Sequence, residues 1–379
     1  MLTLFIFLFL ACALLVIYPY AIYPMILKIL PDCPVARDPR YRCTATLVFC
    51  AYNEGNVMPE KLSNIEALKA RHSDLEVLAF DDGSTDNTCE QMLARPDLLT
   101  VIQGGGRNGK ANGMKRLASQ AKGEIIIFTD ANVLLDENAI DNLMAWYADR
   151  AVGGICGMLK YIGAEDSTTA SVGGAYWRLE EKLKTEESRT GNVMGADGSI
   201  FSLRRELYPE FPDTVLDDLT VSMAAVFANK RLLKVEDVVA YERLVAARGE
   251  EFSRKVRISA RAFHTHMHLR PQLAKMCGTD KFKYISRKMV RWFGGLFLLL
   301  GVLFGLISMT LIAPVLGPVG LVVLASAVVA APRVETGPIS TVTEIVLALL
   351  ATLIGVIRAV RGQTFVTWAP AKTRDINSR

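Results

Sequence analysis

Charge is missing from two long stretches of this chain, and that absence is the first constraint. Residues 2–24 (LTLFIFLFLACALLVIYPYAIYP) carry no charged side chain, and neither do residues 292–332. The mean hydropathy of +0.26 is high for an ordinary soluble protein of 379 residues, and the excess sits at the two ends. Seven cysteines are present but no C-x-x-C pair, which argues against a zinc ribbon or a thiol redox centre and fits a reducing compartment. No internal repeat or low-complexity tract occurs, so a solenoid is excluded. No G-x-x-x-x-G-K-[ST] loop occurs either, so phosphate chemistry of the P-loop kind is excluded.

The uncharged stretches read as membrane segments. A bilayer crossing takes roughly 20 apolar residues, and residues 2–24 supply them. No basic region precedes that run, so a retained anchor is expected over a cleaved signal peptide. Lys28, Arg37, Arg40 and Arg42 follow it, which places them in the cytoplasm and the N-terminus outside. Pro314 and Pro318 break residues 292–332 into two spans joined by a tight turn. A third run, Ile345–Ile357, is short at 13 residues and bounded by Glu344 and Arg358. Two or three C-terminal spans are therefore compatible with the sequence. The basic tail (Arg358, Arg361, Lys372, Arg374, Arg379) falls inside or outside accordingly.

Between these ends lies about one domain's length of globular composition. Thr44–Ala51, Glu76–Phe80, Leu99–Gln103 and Glu124–Thr129 read as strands. Val57–Arg71, Thr85–Leu93 and Gly109–Ala121 read as helices between them. That alternation predicts a parallel sheet with ligands bound beyond the carboxyl ends of its strands. Three strands end on polar groups: Tyr52-Asn53-Glu54, Asp81-Asp82 and Asp130-Ala131-Asn132. Residues i and i+2 of an extended chain point the same way, so Asp130 and Asn132 aim two oxygens at one point, suited to a hard cation. Gly104–Lys110 is a glycine-rich loop delivering Arg107 and Lys110 to a helix start, which suits a diphosphate.

Trp177–Arg189 reads as a charged surface helix. Phe252–Phe263 and Lys281–Phe293 mix basic and apolar residues beside the spans. They are expected to lie on an anionic membrane surface rather than on nucleic acid. His264, His266 and His268 would share one face at strand-like spacing, but no cysteine or carboxylate completes a tetrahedral set. They read as a polar interfacial stretch.

From about Thr44 to about Arg261 the chain resembles family-2 glycosyltransferases of the GT-A fold. Cys50–Glu54 resembles the family's first-strand P-x-Y-N-E, and Asp81–Asp86 its D-D-G-S-x-D. Arg107–Lys110 resembles R-x-x-G-K, and Asp130-Ala131-Asn132 stands where the metal-binding D-x-D belongs. Gly195–Arg205 (GADGSIFSLRR) resembles the acceptor-side segment, and Leu216-Asp217-Asp218 stands at the E-D catalytic base. Arg254–Ile258 occupies the place of Q-x-x-R-W in processive members, with Arg254 for the Gln and Ile258 for the Trp.

The resemblance implies an α/β fold: the GT-A (nucleotide-diphospho-sugar transferase) mixed, mostly parallel sheet flanked by helices, with transmembrane helices at both ends. It implies an N-terminal anchor over 1–27 and a cytoplasmic catalytic domain over 44–262. An interfacial segment (263–291), a C-terminal membrane region (292–360) and a basic tail (361–379) follow. Tyr52 and Glu54 would line the uridine pocket, while Asp81 and Asp82 would hold base and ribose. Lys110 would touch the diphosphate, with Arg254 and Arg257 nearby. Asp130, with Asn132, would bind Mg²⁺ or Mn²⁺. Asp218, or its neighbour Asp217, would act as base. The implied activity is inverting transfer from a nucleotide-sugar, a UDP-sugar by the family's habit, to a glycan or lipid-linked acceptor at the plasma membrane. Membrane lipid and partners in a synthase complex are implied as well. A processive synthase and a non-catalytic sugar-nucleotide-binding subunit are the alternatives, and the missing Trp disfavours the former.

Overall fold

The computed structural model describes residues 1–162, 168–243, 248–330, 334 and 337–363. Among the described residues, eight strands form one sheet: β1 (Ala45–Ala51), β2 (Glu76–Asp81), β3 (Thr100–Gln103), β4 (Ile125–Asp130), β5 (Val133–Leu135), β6 (Val152–Ile162), β7 (Ile200–Arg204) and β8 (Arg231–Arg243). Their spatial order is β3-β2-β1-β4-β7-β6-β8-β5. The first four strands are mutually parallel, as the strand–helix alternation predicts. Beyond β4 the sheet becomes mixed: β7 runs antiparallel to β4, β6 antiparallel to β7, and β8 parallel to β6.

Every residue of β1 is buried, as expected of a strand covered by helices on both faces. Leu47, Phe49 and Ala51 join the apolar layer that holds the helix Met58–Arg71. Val48 and Cys50 join the opposite layer, under the helices Lys110–Gln120 and Asp217–Phe227. Two-residue periodicity thus feeds two cores from one strand. Because β1, β2 and β4 are parallel neighbours, their carboxyl ends lie side by side. Ala51 pairs with Asp81, and Cys50 with Asp130.

The uncharged N-terminus forms two helices, Leu2–Ile17 and Ile22–Ile29, bent by 62°. Gly294–Ile312 and Leu316–Ala330 follow the expected division near Pro314. The last helix, Gly337–Val360, has 24 residues, far more than the apolar run that suggested it, because it takes in the Ser/Thr-rich stretch before Glu344. Among the described residues, Gly294–Ile312 and Gly337–Val360 are long and apolar enough to cross a membrane, and the bent N-terminal pair is so if taken as one span. Lys372, Arg374 and Arg379 lie outside the described residues.

Two expectations are overturned at the junction between sheet and membrane segments. The helix Thr168–Arg189 is no surface helix: Glu180, Glu181, Leu183, Lys184 and Glu187 are all buried. Its partners are the cations expected to meet lipid. Arg287 bridges Glu187 (2.6 Å) and Glu180 (3.1 Å), Arg291 pairs with Glu180, and Lys283 donates to the Glu187 carbonyl (2.8 Å). Tyr23 of the N-terminal segment donates to Glu187 as well (2.6 Å). Burial works against the Glu180 charge, but Arg287 and Arg291 outweigh it and hold its carboxyl far below the usual range. Charged residues at helical spacing made one segment look solvent-facing, and basic residues beside a span made the other look lipid-facing; each is the other's counter-charge.

Candidate active site

The site is assembled where three parallel strands end. Lys110, the first residue of the helix Lys110–Gln120, donates its ammonium to Asp130 Oδ1 at 2.6 Å and lies 3.8 Å from Asp217 Oδ2. Asp217 and Asp218 open the helix Asp217–Phe227, where unpaired N–H groups favour negative charge. Asp217 is buried, and Asp218 Oδ1 accepts the Leu219 N–H at 2.6 Å.

Gly198 sits in the middle of these groups. A Cβ there would lie 2.9 Å from Lys110 Nζ, 3.5 Å from Asp130 Oδ2 and 3.7 Å from Asp218 Oδ2. The absent side chain is what lets the amine and both carboxylates converge. Burial, and then the neighbouring Asp217, push the Asp218 carboxyl up to about 6, against the opposing pull of Lys110. Lys110 goes the other way: burial disfavours its charge, but Asp130, Asp217 and Asp218 more than offset that and keep it protonated. The cluster holds a fixed cation beside a carboxylate that changes charge near neutrality, the pairing general-base chemistry needs.

The strand-end loops are laced together. Asn53, at φ 52°, accepts the Thr85 N–H (2.8 Å) and takes the Ser84 hydroxyl oxygen on its own N–H (3.1 Å). The Glu54 N–H donates to Thr88 Oγ1, and the Gly55 N–H to Asp86. Glu54 is buried. Asp81 accepts the Ser84 N–H at 3.3 Å. Asp82 is fully buried, and its carboxylate accepts the N–H groups of Asn108 (2.7 Å) and Gly109 (3.0 Å), with Arg107 at 3.4 Å. That bonding fastens the glycine-rich loop to the end of β2. Arg107 then stacks on Tyr52, its guanidinium carbon 3.3 Å from the ring centre.

A divalent metal is implied by the D-x-D position, so the residues there must be tested against it. Asp130 keeps Oδ2 on the Gly198 side, and its side chain is 37% exposed. Asn132 lies in the turn after β4 and donates its amide nitrogen to Glu242 of β8 at 2.7 Å, which leaves the carbonyl oxygen as its ligand-capable atom. Among the described residues no group of three His, Cys, Asp or Glu forms a closed metal cage. One carboxylate and one amide oxygen suit Mg²⁺ or Mn²⁺ when phosphate oxygens and water complete the shell. The donor set fits on those terms.

Several residues that organise the site had not stood out in the sequence. Lys61 is fully buried under the β4–β5 turn, donating to the carbonyls of Val133 (2.6 Å) and Asp130 (3.1 Å); burial drops its amine to about 7. Arg261 donates to the Val215 carbonyl (3.1 Å) and draws the Asp218 pKa down. Gly198 could have been found in the GADGS run; nothing local marks Lys61.

Other expected site residues are placed as follows. Arg257 is half-buried on the helix Arg248–Leu273; burial, then Arg261 and Arg254, lower its pKa. Arg254 is exposed one turn earlier. Ile258, at the family's Trp position, is 44% exposed. In the acceptor-side segment Arg204 donates to the carbonyls of Val152, Tyr147 and Asp149, and Arg205 to that of Gly123, so both act as backbone clasps. The three histidines sit on that same long helix, not on a strand. His264 meets Thr214 and His266 meets Tyr284, while His268 is exposed, so the shared face is lost.

Residues 46–211 match the sequence model of glycosyl transferase family 2. Over 101 residues it is 31% identical to the glycosyltransferase GlyG of Streptococcus pneumoniae, covering 26% of this chain and 33% of that protein. Over 97 residues it is 32% identical to the poly-beta-1,6-N-acetyl-D-glucosamine synthase of Staphylococcus aureus, covering 25% and 23%. The chain therefore aligns with a third or less of these curated relatives' length. The mannosyltransferase PcManGT of Pyrobaculum calidifontis, solved with GDP-Man and Mn²⁺, superposes with a TM-score of 0.74 at 23% identity, over 94% of this chain and 99% of that one. The fold is GT-A.

Proposed function

We propose that this family-2 glycosyltransferase domain moves a sugar from a nucleotide-sugar to a membrane-associated glycan or lipid-linked acceptor, with inversion at the anomeric carbon. The observation that carries the reading is the convergence of Lys110, Asp130 and Asp218 on Gly198 at the ends of parallel strands. Asp218 takes the proton of the acceptor hydroxyl as its oxygen bonds to the anomeric carbon and the bond to the leaving diphosphate breaks. Lys110 faces the charge that develops on that diphosphate. Asp130, with the carbonyl oxygen of Asn132, would hold Mg²⁺ or Mn²⁺, which supplies further charge neutralisation to the phosphates. Arg107, stacked on Tyr52 and fastened through Asp82, places a second cation at the donor end of the site.

UDP is the nucleotide we propose, on the resemblance of Cys50–Glu54 and Asp81–Asp86 to the family's motifs. The apolar helices support a membrane enzyme of surface polysaccharide or glycolipid synthesis, with its catalytic domain cytoplasmic. A processive synthase is the second reading: likeness to the poly-N-acetylglucosamine synthase favours it, and exposed Ile258 in place of an aromatic platform opposes it.

The test is nucleotide release by the purified chain from a panel of UDP- and GDP-sugars, with and without Mg²⁺ or Mn²⁺, beside Asp218→Asn. Metal-dependent release from one donor, lost in the variant, is expected. Nucleotide binding without release, even with membrane extract as a source of acceptor, would refute the enzyme reading in favour of a binding subunit.

A further inference from the structure

The cations that precede the span Gly294–Ile312 are not alike. Lys283, Arg287 and Arg291 are all partnered by the buried acidic helix or its carbonyls. Lys288 is not: among the described residues it has no hydrogen-bond or ion-pair partner. The acids nearest to it are already engaged, Glu187 by Tyr23, Arg287 and the Met194 N–H, and Glu180 by Arg287 and Arg291. Lys288 lies in a π-helical turn, Ile285–Met289, a local rewinding that often marks functional positions. Burial and the adjacent Arg287 push its amine down to about 8, the condition of an ammonium waiting for a counter-ion.

Its place matters more. Lys288 Nζ is 3.9 Å from where a Cβ on Gly195 would stand, and Gly195, at φ 99°, has none. Gly195 is three residues from Gly198, so the glycine beside the amine and the glycine at the catalytic cluster are at most roughly 10 Å apart. The loop between them is held by Asp197, which binds Lys184 of the buried acidic helix. Toward the membrane-length helix, Lys288 precedes its first residue, Gly294, by six positions, about 9 Å at a helical rise. Lys288 thus lies in sequence and in space between the membrane-length helix and the glycine turn that leads to the catalytic carboxylate.

We propose that Lys288 receives the phosphate that joins a lipid tail to the acceptor, which defines the acceptor class as lipid-phosphate-borne. This rests on the glycosyl-transfer reading above.

The test uses the full chain in detergent, with farnesyl diphosphate as probe and farnesol as its uncharged control. Lys288→Met is expected to weaken farnesyl diphosphate binding about tenfold or more, the scale of one charge-assisted contact. Farnesol binding should not change, and Lys288→Arg should retain most of the affinity. Lys288→Gln stands in if the Met variant fails to fold. Lys110→Met should leave probe binding intact, which separates this site from the donor diphosphate site. Equal affinity in wild type and Lys288→Met, or loss of binding in Lys110→Met alone, overturns the proposal. So does displacement of the probe by phosphatidylglycerol at equal potency, which would make the site a bilayer headgroup contact. UDP and GDP binding, measured on the same samples, reports the donor reading separately: absence of both would sink the proposed function while leaving the phosphate result to stand or fall alone.

Discussion

If Asp218 is the base, its raised pKa must appear in the rate. Burial and the like charge of Asp217 put its carboxyl at about 6. At pH 7 it is then roughly nine-tenths ionised and at pH 5 roughly one-tenth, whereas an ordinary aspartate near 3.9 would be mostly ionised at both. The carboxyl is pushed up, so the base is lost as pH falls through about 6, and turnover should drop roughly tenfold between pH 7 and pH 5. Asp217→Asn removes the like charge without touching the burial. The acid limb should therefore move to lower pH and the drop should shrink. The assay is initial nucleotide release at saturating donor and metal across pH 4.5–8, with donor binding followed in parallel to exclude loss of affinity. A flat profile from pH 5 to 7, or a limb unmoved in Asp217→Asn, would refute the assignment of Asp218 as an electrostatically tuned base.

Other consequences follow from the same geometry. Asp218→Asn should cut turnover by about two orders of magnitude or more. Because the folded protein raises this carboxyl above its ordinary value, its ionisation opposes folding once pH exceeds that value, so the variant's Tm at pH 7.5 should match or exceed wild type; a fall in Tm would contradict this. Glu187→Leu takes from buried Arg287 the closer of its two carboxylates and from Tyr23 and the Met194 N–H their acceptor, and should cost about 3 kcal/mol or more, measured by thermal unfolding in detergent. Pairing it with Arg287→Leu should cost less than the two single losses added, and strict additivity would mean the contact is idle. Lys61→Met leaves the Asp130 and Val133 carbonyls without their donor, at about 1–3 kcal/mol for the group stranded. The metal concentration for half-maximal turnover should rise while metal-free nucleotide binding holds.

The parallel half of the sheet was legible because its signals are local. Short apolar runs alternate with helical spacing, and each strand end carries its own polar group. Lys110 and Asp130 could be named from such runs, since in a parallel sheet neighbouring strand ends meet by construction; Asp217-Asp218 open a helix beyond antiparallel β7 and are named only through the family resemblance. What could not be read depends on pairing across long sequence separations. Glu187 and Arg287 are 100 residues apart, and neither segment alone distinguishes a buried counter-charge from a solvated one. Lys61 looks like any lysine on an amphipathic helix until the β4–β5 turn folds over it. The histidines failed for the opposite reason: a two-residue spacing means one face on a strand and divergent faces on a helix, so period had to be known before chemistry.

The buried charges join what the sequence separates. Arg287 and Arg291 precede a membrane-length helix, their acids lie on the helix Thr168–Arg189, and Lys184 of that helix holds Asp197 beside Gly198. A buried ion pair is weak evidence for stability, since apolar packing of equal volume often does as well. Its better-attested use is to fix one arrangement against others, because a mispaired buried charge costs far more than a misplaced methyl. Here the arrangement fixed is that of the catalytic cluster relative to the membrane-length helix, and the lipid-borne acceptor proposed above would need that distance set. If so, the double variant Glu187→Leu/Arg287→Leu can regain much of the lost stability while turnover on a membrane acceptor stays depressed and hydrolysis of the donor by water does not. Full recovery of both would assign the network to folding alone.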